Sequence, residues 1–94
     1  MKNNKKAEEE SESSGKIIIE VPVCADSQID NKMLKDIKLP ENCLVVSIKR
    51  GNKEIIPRGN VLIKSGDILI LLVNEKEEAL MKERLLNMTG KPII

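Results

Sequence analysis

The chain of 94 residues contains no phenylalanine, tyrosine, tryptophan or histidine. Without aromatic rings it lacks the platforms on which bases of single-stranded nucleic acids stack. Sixteen Lys and Arg against fifteen Asp and Glu leave a formal charge of +1. That is no basic excess for a phosphate backbone, so a nucleic-acid polymer is not an expected partner. The missing histidine removes the one side chain that ordinarily titrates near neutral pH. It also prevents the usual zinc sets from being assembled within one subunit. Cys24 and Cys43 are the only cysteines and form no C-x-x-C pair. They read as reduced, largely buried thiols of a cytosolic protein, with a regulatory thiol as the alternative. No apolar stretch approaches the ~20 residues that span a bilayer, and the N-terminus has no signal-peptide core. The chain as given reads as soluble and cytoplasmic, with no cofactor and no metal.

What is present is aliphatic. Hydrophobic residues make up 40% of the chain, mostly Ile, Leu and Val. β-Branched side chains are stiff and pack well on a pleated surface, so a sheet is expected. A chain of this length buries only about 60–65% of its unfolded surface. Self-association into a homodimer is therefore a natural supplement.

Residues 1–15 are polar and charged and cannot bury enough surface to offset the entropy of ordering. They read as a disordered tail or a linker from something upstream. The folded domain is expected over 16–90, with 91–94 a short C-terminal tail. In "KIIIEVPV", Ile17, Ile19, Val21 and Val23 share one face. Pro22 cannot donate to a ladder, so this strand is expected to lie at an edge or to end there. Ser27 with Asp30 three residues on suggests a capping box opening a short helix, with Ile29, Met33, Leu34 and Ile37 as its apolar stripe. Pro40 stops it. "CLVVSIKR" is a strand with Leu44, Val46, Ile48 and Arg50 on one face and Cys43, Val45, Ser47 and Lys49 on the other. Gly51-Asn52 turns the chain into a hairpin with "KEIIP". After the turns "RGN" and "KSGD", "ILILLV" is apolar on both faces and reads as a central, doubly covered strand. Asn74 and Glu77 suggest a second capping box. The helix that follows carries Ala79, Leu80, Met81, Leu85, Leu86 and Met88 on a broad apolar side and ends at Gly90 and Pro92. The order strand, helix, strands, helix is a two-layer α+β domain with a small, mainly antiparallel sheet.

Catalysis finds little support. Ser47, Ser65 and Thr89 have no evident base partner. Caps, turns and solvated faces account for Asp26, Asp30, Asp36 and Asp67 more simply than paired catalysis does. The expectation is a protein that is not an enzyme. "PRGN" and "KSGD" each pair a cation with glycine, as an anion-binding nest does, but plain turn chemistry explains both. Binding is the stronger reading. Two hairpins meeting across a two-fold axis would form a cleft walled by Ile and Val and rimmed by Arg, suited to a planar base with an anionic linker. The alternative is that Arg50 and Arg58 are ordinary solvated turn residues.

Three pieces in this order, "LKDIKLPENCLVVSIKRG", "EIIPRGN" and "IKSGDILILLV", resemble the TrkA-C family, also called RCK-C, over about residues 16–86. The wording is closest to the tails of ClC-type chloride channels. The resemblance implies a ligand-sensing, dimerising cytoplasmic module of a membrane ion transporter or channel, for potassium, another cation or chloride. It further implies a transporter portion in the same chain or in a partner subunit, and a tether to the inner membrane face through an upstream span. A stand-alone soluble subunit and a purely structural dimerisation module are the alternatives. Some family members bind cyclic di-AMP between two subunits. The matching positions here are Leu44, Val45, Arg50, Ile55, Ile56 and Pro57. Ile56 stands where some nucleotide-binding members have histidine or asparagine.

Overall fold

The computed structural model describes residues 15–90. The expected leader, apart from Gly15, and the expected tail lie outside the described residues. Four strands, β1 (Lys16–Pro22), β2 (Cys43–Arg50), β3 (Lys53–Ile55) and β4 (Ile68–Asn74), form one sheet in the order β1-β4-β2-β3. All pairings are antiparallel. A helix, α1 (Glu78–Thr89), follows the last strand and packs on β1 and β4. The α+β class and the mainly antiparallel sheet are as read from the sequence. β1 lies at an edge and closes on Pro22, where a missing N–H costs no interior ladder bond.

The core lies between one face of the sheet, α1 and the loops. Ile19 and Val21 of β1, Leu69, Leu71 and Val73 of β4, and Val45 and Ile48 of β2 are buried there with Ile29, Ile63, Met81 and Leu85. β4 is central but not covered on both sides. Its residues alternate between buried and half-buried, so Ile68, Ile70 and Leu72 face the open side. β2 departs from strict alternation. The register slips between Val45 and Ser47, a bulge at Val46 that sets two residues against one. Val45 and Ile48 therefore both reach the core, while Leu44, Ser47 and Lys49 line the open face. The expected grouping of Val46 with Ile48 and Arg50 is corrected by that slip.

The first predicted helix is replaced by turns and one 3-10 turn at Leu34–Asp36. The reason is competition for backbone donors. Asp30 accepts hydrogen bonds from the Asp26 N–H (2.8 Å) and the Ser65 N–H (3.1 Å), latching the loop to the "KSGD" turn. Asp26 and Asn31 adopt positive φ, which short polar residues tolerate and a helix does not. The Asn31 and Leu34 N–H groups donate across to the carbonyls of Ile63 and Val61, giving a Met33–Leu62 bridge instead of helical bonds. At α1 a 3-10 turn, Glu75–Glu77, precedes the helix, and Asn74 makes no side-chain cap bond. The predicted capping box is absent. Of the predicted apolar side of α1, Met81 and Leu85 are buried, but Leu80 and Leu86 are exposed. Gly90 ends the helix at negative φ; a Cβ there would lie 2.7 Å from the Leu86 carbonyl oxygen.

Candidate functional site

The β2–β3 hairpin turns at Gly51, whose φ is 63°, and pairs Arg50 with Lys53 and Ile48 with Ile55. Beyond β3 the Arg58 N–H donates to the Ile56 carbonyl at 2.8 Å, a tight three-residue turn about Pro57. That turn holds Ile56 outward, where it is 66% exposed, and Leu44 is 60% exposed.

Two shallow depressions meet at Pro57. One, of about 400 Å³, is lined by Val46, Ser47, Glu54, Ile55, Ile56 and Pro57. The other, of about 200 Å³, is lined by Leu34, Leu39, Cys43, Leu44, Val45 and Pro57. The structure thus brings Leu44, Val45, Ile55, Ile56 and Pro57 together. Val45 contributes little exposed surface, since it points into the core. Leu44 also borders a third depression, of about 310 Å³, at the Lys16–Asn74 end of the sheet. The walls are open and mainly aliphatic, broken by Ser47 and Glu54 in the first depression and by Lys16, Asn42 and Asn74 in the third, and suit an apolar surface or a planar group.

Arg50 lies elsewhere. Its Nε and Nη2 each donate to a carboxylate oxygen of Asp67 at 2.8 Å, and Nη2 also reaches the Leu62 carbonyl at 2.8 Å. Asp67, 1% exposed, further accepts from the Lys64 N–H at 2.9 Å. Burial by itself raises the Asp67 carboxyl, but the hydrogen bonds from Arg50 and Lys64, with the charge of Arg50, outweigh it and hold the group below its ordinary value. Asp67 is therefore a charged anchor rather than only a turn residue. Sequence reasoning missed this partnership because the two residues are 17 apart and belong to no shared period.

Cys43 borders two of the depressions, and its Sγ donates to the Pro40 carbonyl at 3.2 Å. Burial pushes this thiol up, away from the thiolate that nucleophilic chemistry needs. Both cysteines are free and half-buried.

The sequence matches the TrkA-C domain model over residues 18–86. It is 34% identical over 82 residues to a Trk system potassium uptake protein TrkA homolog of Archaeoglobus fulgidus, covering 86% of this chain and 18% of that protein. TrkA homolog 1 of Methanosarcina mazei is 35% identical over 54 residues, covering 57% of this chain and 12% of the relative. The chain thus spans less than a fifth of the length of these relatives. Two among the solved structures that share the fold are of RCK domains. One is an RCK domain with cda, at 24% identity and TM-score 0.58, covering 70% of this chain and 94% of that one. The other is the RCK C domain of the potassium transport protein KtrA in complex with c-di-AMP, at 20% identity and TM-score 0.60, covering 86% and 94%. With its family match and its sheet both running through β1 to α1, the chain belongs to the TrkA-C domain family.

Proposed function

We propose that the chain is a regulatory domain of a membrane ion-transport system, potassium uptake being the first candidate. It works on the cytoplasmic side, as a homodimer that binds cyclic di-AMP between its two copies. The observation that carries this reading is the gathering of Leu44, Ile55, Ile56 and Pro57 around open, apolar depressions on one side of the hairpin. A single copy offers walls without a lid, and a ligand-binding cleft normally encloses most of its ligand. A second copy would supply the missing wall. The potassium uptake relatives and the c-di-AMP complex among the similar folds support the same assignment. Tethering to the membrane through an upstream span, and a chloride channel as host, are further proposals resting on the sequence resemblance. Regulation follows if the nucleotide binds one arrangement of the dimer better than another, the shift being bounded by that difference in affinity.

A second reading, a dimerisation module without ligand, is favoured by Arg50. The guanidinium that would meet a phosphate is already engaged by Asp67 and Leu62. Calorimetric titration with cyclic di-AMP separates the two readings. Heat saturating at one nucleotide per two chains, abolished in Ile56→Asp with the fold intact, supports sensing. Absence of heat in a dimeric protein leaves the structural module. Arg50→Ala is a poor probe here, since it also removes the partner of a buried carboxylate.

A further inference from the structure

The edge built from residues 31–35 and 59–64 is unlike the rest of the surface. The Leu34 N–H donates to the Val61 carbonyl and the Ile63 N–H to the Lys32 carbonyl. These bonds flank Met33 and Leu62, which therefore face each other with side chains on the same side. Leu34, Val61 and Ile63 turn inward to the core, while Met33 and Leu62 stay 39% and 38% exposed. Lys64 lies two residues beyond Leu62 along its segment, and Lys35 follows Met33 in the 3-10 turn Leu34–Asp36; both are exposed. The Lys35 N–H donates to the Gly59 carbonyl at 2.9 Å, which brings Lys35 beside Arg58, and Lys32 opens the same edge. These four cations are exposed, and none pairs with a carboxylate among the described residues. Segments 30–38 and 58–65 together hold five Lys and Arg against two carboxylates, Asp36 and the Asp30 that accepts from the Ser65 N–H, although the whole chain carries only +1. Positive charge is thus concentrated at one edge, around an exposed apolar pair.

We propose that this edge docks on an anionic phospholipid bilayer, with Lys32, Lys35, Arg58 and Lys64 over the headgroups and Met33 and Leu62 at the acyl boundary. A soluble acidic partner would need only the charges. The apolar pair in their midst is what an interfacial membrane contact adds. The proposal does not depend on the nucleotide reading above.

The test is flotation of the full chain with phosphatidylcholine vesicles, with and without phosphatidylglycerol. The wild-type chain is expected to float only with the anionic vesicles and to be released by high salt. Lys35→Glu with Lys64→Glu should weaken binding by at least about tenfold, because each basic side chain near an anionic surface raises affinity several-fold. Met33→Gln with Leu62→Gln should weaken it several-fold at unchanged charge. Lys76→Glu with Arg84→Glu, the same charge change placed on the helix side, should leave most binding intact. All variants keep the lysines of residues 1–14, so differences report on the edge. Circular dichroism checks that each is folded. Failure of the wild-type chain to bind, equal losses in both charge-reversed variants, or binding to inositol hexakisphosphate without binding to vesicles would each overturn the proposal.

Discussion

Arg50 shows how one residue can be visible in the sequence and its role invisible. Its position at the end of a strand beside a hairpin suggested a ligand contact. Its geometry makes it the partner of Asp67, fastening "KSGD" to the end of β2 with two parallel N–H to oxygen bonds. Arg50→Ala would leave a buried carboxylate without its counter-charge, so chemical denaturation should show a loss of about 3 kcal/mol. Arg50→Lys should recover only part of this, because an ammonium cannot reproduce the fork. The pH dependence follows from the lowered Asp67 value. A carboxyl held lower in the folded than in the unfolded chain stabilises fully above its unfolded value. That contribution is lost as pH falls through the folded value. The loss should begin only in acid, below the ordinary 3.8. Urea midpoints at pH 5 and pH 2.5 should therefore differ more for the wild-type chain than for Asp67→Asn.

At the scale of elements, the hairpin and the central strand were legible, while the strand order and the irregular pieces were not. Pro22, Gly51-Asn52 and the apolar run 68–73 announced an edge or a strand end, a turn and a centre, because each signal is local. The bulge at Val46 was hidden, since a one-residue slip leaves composition unchanged while exchanging the faces of everything beyond it. The missing first helix has the same origin in a distant partner. The Asp30 carboxylate and the Asn31 and Leu34 N–H groups bond to Ser65, Ile63 and Val61, about thirty residues downstream, and sequence spacing cannot report that. Asp30 is the residue on which the element turns. Asp30→Ala should cost about 1 kcal/mol. Native-state amide exchange should speed up most at Asp26 and Ser65, whose N–H groups lose their acceptor, while β4 amides stay protected. Uniformly faster exchange would mean that the loop is not a separate latch.

For the whole molecule the decisive feature is the uncovered side of the sheet. Ile18, 53% exposed, and Leu44 stand on either side of Leu72, and Ile70 and Ile68 continue the apolar strip along β4. Lys49 and Glu20 at the other end pair with each other at 3.8 Å, leaving little net charge to oppose a like surface. The sequence already pointed here, since an all-aliphatic strand at the centre of a sheet implied cover on both faces. One copy supplies only one of those covers. If a second copy supplies the other, a charge on the open face should separate the copies without unfolding them. A cavity in the core should do the reverse. Leu44→Asp is therefore expected to sediment as a monomer with a nearly unchanged circular dichroism spectrum. Leu71→Ala, at a fully buried position, should lose about 3 kcal/mol while still associating when folded. Analytical ultracentrifugation over a concentration series reads both. A wild-type chain that stays monomeric throughout would leave the open face to some other partner and would remove the second wall that the proposed nucleotide cleft requires.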